Sequence, residues 1–251
     1  MDRRSINSKY KGEEIFLMKT EEQLLKYAKS YEEIIDGEII NKHIYLPVYV
    51  NDKILYEGLR RFHKNQHIRV DMLDVKDKTV VDIGCNTGYL SIQALKKGAS
   101  YVLGLDYEYG VRIGESIKEI ENLKNIDFRV FLMNASDLVR EFPDLFDSRG
   151  LDAINYVKEY RGIKTPFDVG LFLSIYPIDS IIKYLKLSVD LAKTWYIEPT
   201  DHNSQTKEEI YDEGMSKLSL LGEVEFVGYT DYQNRGMFKV ETGSTEWIPK
   251  G

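Results

Sequence analysis

The sequence predicts an α/β three-layer sandwich: a seven-stranded, mostly parallel sheet with an antiparallel last strand, preceded by a small, mainly helical N-terminal extension. Three observations predict it. From Lys78 onward, short β-branched runs alternate with amphipathic stretches, the pattern of a parallel sheet covered on both faces. The last two extended runs are joined by a short turn, which suits an antiparallel hairpin rather than a crossover. Residues 1–70 lack that alternation and carry apolar positions mainly at helical spacing.

Taken in order, residues 13–37 place Ile15, Phe16, Leu24, Leu25, Tyr27, Ala28, Tyr31, Ile34 and Ile35 among charges, one or two amphipathic helices ended by Asp36-Gly37. Ile44 to Val50 reads as extended, and its Pro47 fits an edge or a loop better than a central strand. Ile54 to about Leu73 is a second helical stretch. Strands follow at Thr79 to Ile83, Tyr101 to Leu105, Phe128 to Met133, Phe167 to Leu173 and Trp195 to Ile197, with helices at Tyr89 to Lys97, Val111 to Leu123, Asp179 to Lys193 and Lys207 to Leu221. Glu223 to Tyr229 and Met237 to Thr242 close the sheet across Gln233-Asn234-Arg235-Gly236. The expected division is therefore an extension or lid over residues 1–70 and a main domain over 71–251, with a long insertion at 138–166.

Composition bounds the function. At 251 residues, with 43% hydrophobic and 30% charged side chains, the chain has globular composition. One cysteine, Cys85, rules out an internal disulfide framework, and the polar N-terminus lacks a signal-peptide core, so a cytoplasmic setting is expected. No run approaches the roughly 20 apolar residues that span a bilayer, so no membrane partner is expected. The net charge of −7 argues against holding long nucleic acid on a pervasive basic surface. The charge is uneven: residues 1–70 carry 13 basic against 11 acidic side chains, residues 71–251 carry 21 against 30.

Chemistry concentrates at Asp82-Ile83-Gly84-Cys85-Asn86-Thr87-Gly88, between a buried strand and a helix. Gly84 and Gly88 let the backbone turn and approach a ligand, and the following helix N-terminus offers N–H groups to an anion. A dinucleotide would want G-x-G-x-x-G, and the four-residue glycine spacing here is wrong for it. About 20 residues on, Leu103-Gly104-Leu105-Asp106 puts an acid at the end of the next strand, the distance expected of a ribose-binding carboxylate. Glu108 is a weaker alternative.

A strand-borne acid followed by this turn resembles motif I of the class I, Rossmann-like S-adenosylmethionine-dependent methyltransferases, written (D/E)-x-G-x-G-x-G, with Asn86 in place of the middle glycine. Asn tolerates left-handed backbone well, so the departure is mild. The resemblance covers roughly Lys78 to Val240 and implies S-adenosyl-L-methionine as cofactor, held by Asp82, Gly84, Cys85, Asn86, Thr87, Gly88 and Asp106, with the methionine carboxylate as the anion. It further implies that Ser136 and Asp137 read the adenine, although both also fit a helix cap, and that Ser174 to Pro177 surround the methyl group and the acceptor. Methyltransferases of amino groups on DNA bases or glutamine often carry (N/D)-P-P-(Y/F) at that point; this chain has Ser174-Ile175-Tyr176-Pro177.

A narrower likeness joins Tyr56 to Arg69, Trp195 to Glu198 and Arg235 to Phe238 to methyltransferases related to the tRNA wobble-uridine carboxymethyltransferases. It implies that Gln66 and Arg69 face the cofactor and Glu198 the acceptor. Candidate catalytic groups are then Tyr176, Glu198 and His202, the last a candidate base. His63 and His67 stand four apart with no third ligand in view, so no metal is expected. The run Arg60, Arg61, His63, Lys64, His67 and Arg69, without an acid from 58 to 70, is either a solvated face or a contact for substrate phosphate or carboxylate. Several tyrosines (Tyr89, Tyr107, Tyr109, Tyr176) fall near the expected pocket, as lining or as core.

Three functions follow, in order: methyl transfer to a small-molecule acceptor, methyl transfer to RNA such as tRNA, and a non-catalytic cofactor-binding protein on the same fold. Homodimerisation is left open.

Overall fold

The computed structural model of the chain describes residues 17–35, 38–42, 44–59, 66–106, 108–130, 166–174, 177–188, 191–200, 205–230 and 235–242. The expected insertion at 138–166 lies outside these residues but for Pro166. In chain order the elements are α1 (Glu21–Lys29), β1 (Glu32–Ile35), β2 (Glu38–Lys42), β3 (Val48–Val50), β4 (Lys53–Tyr56), α2 (Gln66–Asp71), β5 (Thr79–Ile83), α3 (Tyr89–Lys96), β6 (Tyr101–Asp106) and α4 (Glu108–Ile120). Then come β7 (Ile126–Val130), β8 (Phe167–Leu173), α5 (Ile178–Ser188), β9 (Ala192–Glu198), α6 (Lys207–Leu218), β10 (Glu223–Tyr229) and β11 (Gly236–Glu241).

Seven strands form one sheet in the order β10-β11-β9-β8-β5-β6-β7. Strands β5 to β9 pair in parallel, and β11 runs antiparallel to both of its neighbours, as the sequence predicts for the last strand. Period-two alternation splits the strand side chains between two cores. Val80, Val102, Leu171 and Tyr196 join the core under α1, α3 and α4; Val81, Leu103, Phe172, Trp195 and Ile197 join the one under α5 and α6. Both faces are covered, which is why the runs read as continuously hydrophobic.

Boundaries differ from the expected ones where pairing extends a strand. β9 starts at Ala192 rather than Trp195, because Ala192 pairs with Phe167 and Thr194 with Val169. β7 starts at Ile126 rather than Phe128, because Ile126 pairs with Val102.

The N-terminal extension departs further. Its described residues hold one full helix, α1, and two antiparallel hairpins, β1–β2 and β3–β4, where helices were expected to 37 and from Ile54. The physical reason is pairing. Lys53–Tyr56 lies opposite Val48–Val50 across a turn in which Asn51 and Asp52 both take left-handed φ (49° and 58°), and cross-strand bonds override helical spacing over so short a stretch. α1 is helical for local reasons: Thr20 caps it by accepting from the Gln23 N–H, with Glu21 and Glu22 in the first turn, and it buries Leu24 and Ala28.

Candidate functional site

The carboxyl ends of β5, β6, β8 and β9 lie along one edge of the sheet, and the chemistry gathers there in two halves. The first half is the turn between β5 and α3. Gly84, Asn86 and Gly88 all have left-handed φ (74°, 50°, 78°), so the backbone coils tightly without β-branched obstruction. The Gly84 and Cys85 N–H groups both donate to the Leu105 carbonyl, at 2.8 and 3.2 Å, which moors the turn to β6. From below, the Phe128 ring packs so closely that a Cβ on Gly88 or on Gly104 would lie 2.5 Å from it. α3 begins at Gly88 without a side-chain cap, so its N-terminus faces the edge with backbone amides.

Two acids flank the turn. Asp82 is 2% exposed and accepts a hydrogen bond from the Ser91 hydroxyl at 2.6 Å. Burial pushes its carboxyl up to about 7, with the neighbouring Asp106 adding to the rise and Arg69 opposing it. Asp106, at the end of β6, is 5% exposed and accepts from the Asn86 N–H at 2.5 Å. Cys85 is buried in the turn, and burial pushes its thiol well up, so the sulfur is a packed neutral group rather than a nucleophile.

The second half is ionic. Ser174, just past β8, has φ 59° and donates its N–H to the Glu198 carbonyl at 2.7 Å. Glu198 ends β9 with no exposed surface. Its carboxylate pairs with Arg69 of α2, accepts from the Thr230 hydroxyl at 3.3 Å and lies 4.0 Å from the Arg235 guanidinium. Arg69 also donates to the Ser174 hydroxyl and, like Arg235, is buried. Arg235 arrives from the start of β11, where its carbonyl accepts the Thr230 N–H at 2.7 Å. Four separate stretches of chain thus meet in one buried polar cluster.

Of the residues singled out from the sequence, the structure brings together Asp82, Gly84, Cys85, Asn86, Thr87, Gly88 and Asp106 in the first half and Arg69, Ser174 and Glu198 in the second. Ser136, Asp137, Tyr176, His202, Tyr107, Arg60, Arg61, His63 and Lys64 lie outside the described residues. His67 is exposed, whereas Arg69 is buried and paired, so Arg69 does not belong to a solvated basic face. Glu108 is held by Arg112 on the exposed side of α4, away from the role considered for it. Residues that sequence reasoning did not assign are Ser91, Thr230 and the backbone of Leu46 and Pro47, which meets the turn. Ser91 was findable, one helical turn into α3 and on the strand-facing side; the others carry no local signal. Among the described residues, no helix is long and apolar enough to cross a membrane.

Comparison with known proteins finds likeness over the same part of the chain. The family model of ribosomal protein L11 methyltransferase fits residues 68–145, the stretch from α2 past β7 that contains the turn and Asp106. The ribosomal protein L11 methyltransferase of Colwellia psychrerythraea is 56% identical over 39 residues, 16% of this chain and 13% of that protein. The putative protein N5-glutamine methyltransferase of Methanocaldococcus jannaschii is 37% identical over 78 residues, 31% of this chain and 36% of that one. The matched stretches thus span about an eighth and about a third of these curated relatives. A putative SAM-dependent methyltransferase from Streptococcus mutans shares the fold, with a TM-score of 0.51 at 12% identity over 75% of this chain and 52% of that one.

Proposed function

We propose that the chain is a class I S-adenosylmethionine-dependent methyltransferase, which binds S-adenosyl-L-methionine at the β5–α3 turn and transfers its methyl group to a small acceptor; the family-model match over residues 68–145 and the shared fold support that premise. The observation that carries the reading is the turn itself: three left-handed residues, an uncapped helix N-terminus, and two buried acids on adjacent parallel strands. The donor set fits such a cofactor. The α3 amides suit its carboxylate, Asp106 suits the hydroxyls of a ribose, and Asp82 offers a buried acid to a cationic group.

When bound, the cofactor supplies a methyl group already activated on a sulfonium, so the protein's work is alignment and exclusion of water. Ser174, Glu198, Arg69 and Arg235 do that work in this reading: Glu198 holds both guanidiniums at the carboxyl edge of β8 and β9, and Arg69 fixes the Ser174 hydroxyl beside the cofactor turn. Glu198 is then a positioning residue for the acceptor side rather than the base. Tyr176 and His202 are the remaining candidates to orient or deprotonate an acceptor.

A small acceptor is preferred over RNA because the chain is acidic and burial withdraws Arg69 from the basic run at 60–69. Amide nitrogen of protein glutamine is disfavoured because Ser174-Ile175-Tyr176-Pro177 departs from (N/D)-P-P-(Y/F). Titration calorimetry with S-adenosylmethionine tests the shared premise, and absence of binding together with an indifferent Asp106→Ala variant would sink it. Labelled methyl donor incubated with the chain and separated small-molecule, RNA and protein fractions tests the acceptor. Label is expected in the first; label in RNA or protein overturns the preference.

A further inference from the structure

We propose that Asn86 and Thr87 latch the N-terminal segment 44–47 onto the cofactor turn, so that this segment and the cofactor bind cooperatively; the inference rests on the reading of the turn given above. Motif I of the resembled family places glycine where this chain has Asn86, and glycine would satisfy the same left-handed backbone. The side chain is therefore not needed for the bend. It is spent on two contacts instead: its carbonyl oxygen accepts the Leu46 N–H at 2.9 Å, and its amide lies 3.1 Å from the Tyr109 hydroxyl of α4. The next residue does the same from the other direction. The Thr87 hydroxyl donates to the Pro47 carbonyl at 2.9 Å.

Both contacts are buried, Asn86 being 9% exposed and Thr87 fully covered. The segment they hold is itself well packed. Ile44, Leu46 and Val48 are buried, the Leu59 N–H donates to the Ile44 carbonyl at 2.8 Å, and Gly58 sits so near that a Cβ there would lie 2.5 Å from the Leu46 oxygen. Beyond it, β3 lays Tyr49 edge-on against Tyr89 of α3, at 5.5 Å between ring centroids. The segment thus touches the turn that would bind the cofactor and the helix that follows it.

One residue ties these parts together. Asn86 reaches Asp106 through its N–H and the segment through its side chain. A ligand that fixes the turn and Asp106 must favour the geometry in which Asn86 meets Leu46, and by linkage the seated segment must favour the ligand equally. The N-terminal extension is on this account a built-in cover whose closing is felt at the cofactor.

Hydrogen exchange read by mass spectrometry on peptides covering 44–50, in the full chain with and without S-adenosylhomocysteine, tests the latch beside calorimetric affinity. In the unaltered chain the ligand should slow exchange of the segment. Asn86→Gly, which keeps the backbone conformation, should speed that exchange in the absence of ligand and weaken binding about tenfold, the size of one buried hydrogen bond. Thr87→Val should move both readouts in the same direction and Thr87→Ser should restore them, which keeps the test intact if Asn86→Gly alone folds poorly. Equal affinity and equal exchange in Asn86→Gly and Thr87→Val overturn the latch and leave the cofactor site standing. An unaltered chain that binds neither S-adenosylmethionine nor S-adenosylhomocysteine overturns the reading of the turn and the coupling with it.

Discussion

The two halves of the sheet edge are built by different physics. At β5 and β6 the site is backbone: a left-handed turn, amides and two carboxylates supplied by adjacent strands, within one continuous stretch from Asp82 to Asp106. At β8 and β9 it is charge, with Arg69, Ser174, Glu198, Thr230 and Arg235 brought from sites up to 166 positions apart in the numbering. Whatever a side-chain change costs it in ligand affinity, a backbone site tolerates such change in stability as long as the turn survives. A buried ion cluster does not, because removing one partner strands the others in low dielectric.

That contrast predicts the largest effect at Glu198. Glu198→Leu should cost roughly 3–5 kcal/mol of stability, since two buried guanidiniums lose their counter-charge. Urea unfolding measures it, and a loss under about 1 kcal/mol would mean the cluster is better hydrated than its burial indicates. Replacing Arg69, Glu198 and Arg235 together by apolar residues of similar size should recover most of the loss.

Asp82 comes next. Its folded carboxyl sits at about 7, above the unfolded value of about 3.9, so the stability it contributes is present below about pH 4 and is lost as pH rises to about 7. The unfolding free energy of Asp82→Asn relative to the unaltered chain should therefore grow across that window, by up to about 4 kcal/mol, and level off above it. A pH-independent difference would mean that Asp82 titrates as an ordinary carboxyl. A cationic cofactor group beside Asp82 should also expel its proton, which calorimetry in buffers of different ionisation heat would detect near pH 6.5.

Asp106→Ala should weaken cofactor binding by about 2–3 kcal/mol, a charge-assisted bond to the turn being lost together with the ribose acceptor. An affinity within twofold would remove Asp106 from the site. The smallest effect belongs to Arg112→Ala, which breaks the exposed pair with Glu108 on α4: less than about 0.5 kcal/mol, by thermal or urea unfolding.

The backbone half was legible in the sequence for the same reason that it is robust. Its geometry is encoded by neighbours: glycines four apart, an acid before them and another some 20 residues later. The sheet was legible too, because burial on both faces leaves a run of β-branched residues per strand. The ionic half was only partly legible. Ser174, Arg69 and Glu198 stood out through the family resemblance, as did the run from Arg235 to Phe238, but nothing in that run or near Thr230 announces that Arg235 and Thr230 meet Glu198. The β3–β4 hairpin is helix-like in sequence from Ile54 onward because so short an apolar stretch suits helical spacing as well as a strand, and the pairing of Lys53–Tyr56 with Val48–Val50 decides the matter. Leu46 and Pro47 contribute only backbone atoms to the turn, and backbone partners leave no trace in side-chain chemistry.

Strand β11 runs against its neighbours, and this has a consequence for how the protein diversifies. Because β10 climbs toward the site and β11 descends from it, Thr230 and Arg235 stand at the working edge, while the pairs from Glu223 with Glu241 to Tyr229 with Gly236 hold the two strands together behind them. The bond between Thr230 and Arg235 closes the loop at its root. Thr230 and Arg235 are consequently a fixed root, set by the ladder, on which one side of the ionic cluster is built. Sequence change along the β10–β11 pairing therefore reaches the ionic cluster through Thr230 and Arg235, which lets descendants of this chain vary that hairpin while β5 to β9 stay as they are.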